Sequence, residues 1–265
     1  MDPKLPGHAS PKSPSTIRGL HEVARGGLRV DIATLEDANR ELEAFSYSVS
    51  HDLRAPLRRI NAYSQILLEE HSGQLDAEAK RLLGVVLRNT AEMAALIDDL
   101  LTLSQLTRKE LKLRPVDMEE LARSVVRELQ AAEPERAIAV DIGRLGAIQG
   151  DVGLLRQVWT NLLANAFKFT RPVKGPRIEL RHERGPGEHR YIVQDNGVGF
   201  NPAYAGKLFQ PFERLHSTSE FEGSGIGLAI VARIVLRHGG RVWAESTAGL
   251  GATFGFALPD TVATR

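Results

Sequence analysis

Apolar positions in the first third of the chain repeat every seven residues. Two positions of one heptad hold apolar side chains: Leu28, Leu35, Leu42 and Val49 at the first, and Ile32, Leu53, Ile60 and Leu67 at the second. This repeat predicts a long helix with a coiled-coil or bundle seam. Polar Asn39 and Ser46 interrupt the second position, and such residues can set register at some cost in stability.

A second apolar stripe follows a predicted turn at residues 71–74. Asp76 is a candidate N-cap for this second helix. Its apolar face comprises Ala79, Leu82, Val86, Met93, Ile97, Leu100 and Leu103. A single helical hairpin leaves such a stripe open to water, whereas two hairpins close a four-helix bundle, so we expect a homodimer. The alternative is that the stripe packs on the second domain of the same chain.

After Leu113-Arg114-Pro115-Val116 the pattern changes to short strands and helices. Helices are predicted from Asp117 to about Gln130, from Asp151 to about Phe169 and from about 225 to 238, where Gly239-Gly240 should end the last one. Strands are predicted near residues 138–142, 146–149, 177–184, 190–195, 241–246 and 252–258. This mixture indicates a two-layer α+β sandwich rather than a βαβ repeat.

The same patterns divide the chain into four parts. We expect a disordered, proline-rich leader at residues 1–27, a dimerisation hairpin at 28–112, an α+β domain at 113–259 and a short tail at 260–265. The formal net charge of +1 gives no electrostatic footprint for nucleic acid. With no cysteine and no apolar run of about 18 residues, the chain is expected to be cytoplasmic, without membrane insertion.

His51 is the first residue with candidate chemistry, in the run Ser50-His51-Asp52-Leu53-Arg54-Ala55-Pro56. It lies two residues from both Val49 and Leu53, about 200° around the helix from each, and so points away from the apolar stripe. We expect it to be exposed. Pro56 removes one backbone donor and should bend the helix just after His51.

Three polar residues share one face of the predicted helix at 151–169. Asn161, Asn165 and Lys168 are spaced i, i+4 and i+7. An amide oxygen is a suitable ligand for Mg²⁺, and a lysine provides a point charge for phosphates. Taken alone, the block is better explained as a solvated helix face than as a ligand site.

Two glycine-rich runs and one arginine complete the candidate chemistry. Asp195 ends a predicted strand and is followed by Gly197 and Gly199, where a carboxylate could accept a hydrogen bond from an adenine amino group; an ordinary turn is the alternative. Residues 223–227 alternate glycine and open a helix whose amides could bind an anion. Arg214 is placed to reach a terminal phosphate, or is simply solvated.

The order of these blocks resembles the catalytic core of HisKA-type sensor histidine kinases of two-component systems. Residues 50–56 resemble the H box, 161–170 the N box, 195–199 the G1 box, 209–212 the F box and 223–227 the G2 box, over about residues 30–258. Residues 45–52 are most similar to kinases attached to phytochrome-like or PAS/GAF sensors. The resemblance implies an ATP-binding domain of Bergerat (GHKL) type.

The resemblance also implies residue roles. His51 would accept the γ-phosphoryl group of ATP with Asp52 as base, and Asn165 would hold Mg²⁺. The implied nucleotide-binding residues are Asn161, Asn165, Lys168, Asp195, Gly197, Gly199, Arg214, Gly223, Gly225 and Gly227. Ala55 departs from the Thr or Asn usual in members that also dephosphorylate their partner, which suggests weak phosphatase activity.

The expected function is therefore an ATP-dependent protein-histidine kinase that passes its phosphoryl group to an aspartate of a separate response regulator. The sensor is expected to be absent from this chain or to act in trans. The alternatives are another ATPase of the same nucleotide fold, in which His51 is a bystander, and a pseudokinase dimerisation module. The ATPases use a glutamate on the helix that carries Asn161 and Asn165, where this chain has amides.

Overall fold

Two helices joined by a short turn open the part of the chain that the structure describes. The structure is a computed structural model and describes residues 48, 50, 52–106, 110–215 and 220–260. Helix α1 covers residues 52–70, and helix α2 covers Ala77–Gln105 after a single 3₁₀ turn at Ser72–Gln74. As predicted, Asp76 caps α2, its carboxylate accepting the Ala79 N–H at 2.7 Å. His51 and the heptad positions from Leu28 to Val49 lie outside the described residues.

Contacts within the hairpin align the start of α1 with the second half of α2. Arg54 forms an ion pair with Asp98, and Leu57 is buried between the helices. Pro56 lies within α1, which continues past it without interruption to residue 70. By its contacts the chain divides into Met1–Val49 and Ser50–Arg265, and every element named here belongs to the second unit.

The apolar stripe of the hairpin divides into two parts. Its larger part is exposed: Leu53, Ile60, Tyr63, Ile66, Leu67, Leu82, Val86 and Met93. At the C-terminal end of α2, in contrast, Leu96, Leu103 and Leu106 pack into the core of the second domain. The stripe therefore packs on the same chain over its last turns, as the alternative held, and is open to water elsewhere.

The second domain contains three helices and seven strands among the described residues. The helices are α3 at Met118–Ala132, α4 at Val152–Phe169 and α5 at Gly227–Arg237. The strands are β1 at Arg114–Asp117, β2 at Ala139–Ile142, β3 at Ala147–Gly150, β4 at Arg177–Gly185, β5 at Glu188–Asp195, β6 at Arg241–Ser246 and β7 at Ala252–Pro259. A short 3₁₀ helix occupies Pro202–Lys207. The predicted fold class, a helical hairpin followed by an α+β sandwich, is confirmed.

Five strands form one mixed sheet in the order β2-β4-β5-β7-β6. Strand β2 runs parallel to β4, and every other neighbour pair is antiparallel. The helices cover one face, where Trp159 meets Tyr191 and Phe256 edge-on at 6.0 and 5.3 Å between ring centroids. Trp243 is half-buried on the opposite face beside Gly255.

Strand β1 was not predicted, since Pro115 was read as part of a boundary. It pairs antiparallel with β3 in a separate two-stranded sheet, with Val116 opposite Ile148. A proline is tolerated there because a strand with one neighbour has one edge that needs no donor. Asp117 then caps α3 by accepting the N–H groups of Glu119 and Glu120. The second domain therefore begins with a paired strand.

His238 fastens the end of α5 to the start of α4. Its fully buried ring places Nδ1 2.8 Å from the Ile234 carbonyl oxygen, while Nε2 accepts the Asp151 N–H at 3.1 Å. The ring is therefore neutral with its proton on Nδ1. Gly239 follows with φ +78°, the left-handed conformation predicted for the residue that ends this helix.

Among the described residues, no helix combines the length and the apolar character needed to cross a membrane.

Candidate functional site

An open pocket lies between α4, the end of β5 and the loop that precedes α5. Nine of the ten predicted nucleotide-binding residues line it: Asn161, Asn165, Lys168, Asp195, Gly199, Arg214, Gly223, Gly225 and Gly227. Gly197 is not among the lining residues and lies directly behind Asp195. Its apolar walls include Phe200, Leu208 and Phe254. Blocks that are far apart in the sequence thus meet at one place.

Helix α4 presents its polar face to the pocket because its apolar face is buried. Asp151 caps the helix by accepting the N–H groups of Gly153 and Leu154, and the buried face comprises Leu155, Val158, Leu162 and Ala166. Asn161 donates through Nδ2 to the Gln157 carbonyl at 2.9 Å, which directs its Oδ1 toward α5. The face carrying Asn161, Asn165 and Lys168 is therefore a wall of the pocket.

Lys168 is a cation held in a desolvated position. Burial, with repulsion from Arg214 second, lowers its pKa to about 8. Its Nζ lies 4.4 Å from the centroid of the Phe169 ring. An anion arriving in the pocket would restore the charged form, because the bound charge offsets the cost of desolvation.

Asp195 is a carboxylate buried at the opposite wall, with 4% of its surface exposed. Its Oδ1 accepts the Gly197 N–H at 2.8 Å. Burial raises its pKa to about 6, against the effect of the backbone N–H groups of Gly197 and Ala252. A buried acceptor between apolar walls can take a hydrogen bond from the exocyclic amine of a flat heterocycle.

The predicted glycines are required by close approach. A Cβ on Gly199 would lie 2.5 Å from the Thr247 carbonyl oxygen, and one on Gly227 would lie 2.5 Å from Asn161 Oδ1. At Gly197, Gly223 and Gly225 the nearest atoms would be at 2.6, 3.1 and 3.1 Å. Side chains at these positions would displace the pocket walls. Helix α5 begins at Gly227, two residues later than predicted.

The described residues of the segment 201–226 (201–215 and 220–226), which we call the lid, contact the end of α4 at two places. The Phe221 ring meets the Phe169 ring edge-on at 5.0 Å, and Arg171 forms an ion pair with Glu222 at 2.7 Å. Arg214 Nη1 donates to the Gly223 carbonyl at 2.5 Å, so its guanidinium lies at the rim of the pocket and braces the lid.

The F-box part of the lid is anchored by two side chains, Leu208 and Phe209, which pack on the core. Phe212 is 61% exposed and adopts φ +66°. Its N–H donates to the Gly225 carbonyl at 3.0 Å, and this backbone contact, not its ring, ties it to the glycine loop.

One pair of residues at the site was missed by sequence reasoning. Asp99 of α2 lines the pocket, and its Oδ2 accepts the Ser224 hydroxyl at 2.6 Å. The two residues are 125 positions apart, and neither stands in a pattern that signals this contact. The hairpin therefore contributes a side chain to the pocket.

The proposed acceptor region is partly described. His51 lies outside the described residues, while Asp52 is exposed at the start of α1 and Ala55 is half-buried. Three residues after His51, Arg54 pairs with Asp98, the neighbour of Asp99. The start of α1 therefore lies beside the part of α2 that contributes Asp99 to the pocket.

The site can hold a nucleotide with its metal. Asn165 offers an amide oxygen, Lys168 and Arg214 offer positive charge, and Asp195 offers a buried acceptor. Within the described ranges, no group of three or more His, Cys, Asp or Glu side chains could hold a metal by itself. This donor set fits Mg²⁺, which usually keeps several waters and binds through substrate phosphates plus one or two protein oxygens.

Comparison with known proteins identifies the two regions. The model of the His Kinase A (phospho-acceptor) domain matches residues 41–109. The model of the histidine kinase-, DNA gyrase B- and HSP90-like ATPase matches residues 150–262.

Similar proteins include cyanobacterial phytochrome B and a phytochrome-like protein. The chain is 35% identical over 225 residues to phytochrome-like protein Cph1 of Synechocystis sp. and 38% identical over 229 residues to cyanobacterial phytochrome B of Nostoc sp.. Each match covers 85% of this chain and 30% of the relative. The solved structure of full-length ShkA in complex with AMPPNP matches with a TM-score of 0.63 and 29% identity, over 83% of this chain and 46% of that one.

A phospho-acceptor region is followed by an ATPase region of this type, and the pocket lies in the region that was expected to bind nucleotide. These findings confirm the resemblance: the chain carries the catalytic core of the sensor histidine kinases.

Proposed function

We propose that this chain transfers the γ-phosphoryl group of ATP to its own His51 and then to an aspartate of a separate response regulator. One observation carries the proposal: a single pocket gathers Asn165, Lys168, Asp195 and the glycines of residues 223–227. Each supplies what a different part of ATP requires, namely metal coordination, phosphate charge, adenine recognition and close backbone approach.

In the proposed step, Asp52 accepts the proton on Nδ1 of His51, which makes Nε2 the nucleophile. Nε2 attacks the γ-phosphorus in line as the bond from phosphorus to the bridging oxygen of ADP breaks. ADP leaves, and the proton remains with Asp52 or passes to water. Positioning and neutralisation of phosphate charge provide most of the acceleration, because the protein has little covalent chemistry to perform.

The remaining site residues have roles in binding. Asn165 would hold Mg²⁺, which when bound with the nucleotide neutralises phosphate charge. Lys168 and Arg214 contact phosphates, Asp195 accepts the adenine amino group, and Asn161 fixes the wall opposite Gly227. Gly199, Gly223 and Gly225 let the backbone approach the ligand, and Gly197 donates its N–H to the Asp195 carboxylate from behind.

We further propose that the chain functions as a homodimer in the cytoplasm. The exposed stripe on α1 and α2, with Ile60 and Leu82 near its centre, is the apolar face that a second hairpin would cover. The family model for the phospho-acceptor region supports this assembly.

The amides on α4 argue against a simple ATPase of the same fold. Hydrolysis would need a carboxylate on the face that carries Asn161 and Asn165, and none of the residues on that wall is acidic. A pseudokinase would bind ATP without labelling His51, so the labelling experiment below separates it from the proposed function.

Ala55 leads us to propose a kinase-biased enzyme. Its methyl group cannot orient an attacking water, whereas a threonine hydroxyl can. We expect Ala55→Thr to clear phosphate from a cognate regulator faster than the wild type. Loss of label from the phosphorylated regulator measures this rate. Equal rates for the two proteins would show that position 55 does not set the balance between kinase and phosphatase activity.

The function is tested by incubating the chain with Mg²⁺ and γ-labelled ATP. We expect a protein-bound phosphoryl group that is labile to acid and stable to base. The label should be absent from His51→Gln, which should still bind a non-hydrolysable nucleotide as the wild type does. Retention of label in that variant would reject His51 as the acceptor.

A further inference from the structure

Asp99 occupies the rim of the nucleotide pocket although it belongs to the helical hairpin. Its Oδ2 accepts a hydrogen bond from the Ser224 hydroxyl at 2.6 Å. The same hydroxyl oxygen accepts the Ile226 N–H at 3.2 Å, immediately before α5 begins. Ser224 therefore holds the glycine loop on one side and the hairpin on the other.

The contact lies at the phosphate end of the pocket. Lys168 Nζ is 3.1 Å from the position that a Cβ on Gly223 would take, and Arg214 donates to the Gly223 carbonyl. The cations Lys168 and Arg214 thus lie at the glycine loop together with two acids, Asp99 and Glu222. Glu222 forms an ion pair with Arg171, whereas Asp99 accepts from the neutral Ser224 hydroxyl. Helix N-termini attract anions, and α5 starts three residues after Ser224.

A carboxylate at this place disfavours phosphate by charge. Phosphates drawn to Lys168 and Arg214 approach Asp99, and two anions in a partly desolvated pocket repel each other. Adenosine carries no such charge and would be indifferent to Asp99. The expected effect therefore grows with the number of phosphates.

We propose, on the basis of the function proposed above, that Asp99 is a residue of the nucleotide site contributed by the hairpin: its carboxylate opposes phosphate binding until the nucleotide displaces it from Ser224. ATP occupancy and docking of the hairpin on the lid are then linked, and each weakens the other to the same degree. Asp99 also discriminates between nucleotides by their charge.

The test compares three variants with the wild type by calorimetric titration of the whole chain with AMPPNP, ADP and adenosine in the presence of Mg²⁺. Asp99→Asn removes the charge and keeps the shape. Asp99→Glu keeps the charge. Glu92→Gln makes the same change of charge on an exposed position of α2 outside the pocket lining.

We expect Asp99→Asn to lower the dissociation constant for AMPPNP about threefold to tenfold, with a smaller gain for ADP and none for adenosine. The gain should shrink in concentrated salt. Asp99→Glu and Glu92→Gln should stay within about twofold of the wild type.

Two results would overturn this inference and leave the proposed function intact. Unchanged or weaker AMPPNP binding in Asp99→Asn would mean that the carboxylate supports the metal–nucleotide complex. An equal gain for adenosine would point to altered packing rather than charge. A wild-type chain that bound no AMPPNP would contradict the proposed function itself, and with it this inference, so the two failures are distinguishable.

Discussion

Single residues in this chain have pKa values that report their role. Lys168 is the clearest case, because burial and Arg214 lower its pKa to about 8 in the nucleotide-free pocket. Phosphates would raise that pKa again, so binding takes up a proton at high pH. Affinity for a phosphate-bearing nucleotide should consequently decrease as the pH rises through 8.

We expect the affinity of the wild type for ADP to fall about tenfold between pH 7 and pH 9, the limit for one coupled proton. Titration calorimetry at several pH values measures this directly. Lys168→Met should bind ADP more weakly at pH 7 and show a flat profile. A wild-type profile as flat as that of Lys168→Met would contradict the assignment.

Protonation of His238 should lower the stability of the folded protein. Burial lowers its pKa, and its folded-state value is below its unfolded-state value. Its contribution to stability is thus complete above the unfolded-state pKa of about 6.5 and is lost as the pH falls below it. The loss should appear as a lower free energy of unfolding between pH 6.5 and 5.

Substitution His238→Leu leaves the buried Asp151 N–H without an acceptor. It should lower the free energy of unfolding by about 1–3 kcal/mol at pH 7.5, as measured by denaturant titration. The exposed His71→Leu, on the hairpin turn, should change it by less than about 0.5 kcal/mol. If the two variants were equally stable, the hydrogen bond from the Asp151 N–H to His238 would make no measurable contribution to the free energy of unfolding.

At the scale of elements, the sequence pattern located helices and strands but not their partners. Caps such as Asp76, Asp117 and Asp151, together with apolar periodicity, are local signals, and the elements they predicted are present. Strand pairing is non-local, so the parallel pairing of β2 with β4 and the small sheet of β1 with β3 could not be read from spacing. Pro115 further masked β1.

In the candidate site, too, local features could be predicted from the sequence and contacts between distant residues could not. Residues within one motif, such as Asn161, Asn165 and Lys168, were predictable because helical spacing fixes their shared face. The contact between Asp99 and Ser224 joins two elements by tertiary packing, and the outward position of the Phe212 ring depends on a backbone conformation with positive φ. Neither the contact nor the backbone conformation produces a periodic pattern in the sequence.

The lid is the element whose attachment can be tested most simply. Phe221 packs edge-on against Phe169, and such aromatic pairs contribute about 0.5–1.5 kcal/mol beyond their buried area. Phe221→Ala should therefore weaken AMPPNP binding about twofold to tenfold and increase amide hydrogen exchange in residues 220–226. Tyr204→Ala, an exposed aromatic of the same lid, should do neither. Unchanged exchange in Phe221→Ala would show that the ring pair does not hold the lid.

At the scale of the whole molecule, the exposed stripe on the hairpin predicts assembly. Leu82 is 50% exposed in one chain and would lie in the proposed four-helix bundle. Leu82→Asp would bury an unpaired charge there, so we expect monomers at micromolar concentration by sedimentation or light scattering. Leu250→Asp, on the second domain at a position 77% exposed, should remain dimeric. A dimeric Leu82→Asp would place the interface elsewhere.

The proposed function depends on one transfer, from a nucleotide in the pocket to His51. The most direct measurement is mass-spectrometric mapping of the chain after reaction with Mg²⁺ and ATP at alkaline pH, which preserves phosphohistidine. We expect one phosphoryl group in the peptide of residues 41–54, on its sole histidine, and none there in Asn165→Ala or Asp195→Asn. Phosphate on a serine or tyrosine of that peptide, or ADP formation with no phosphorylated peptide, would contradict it.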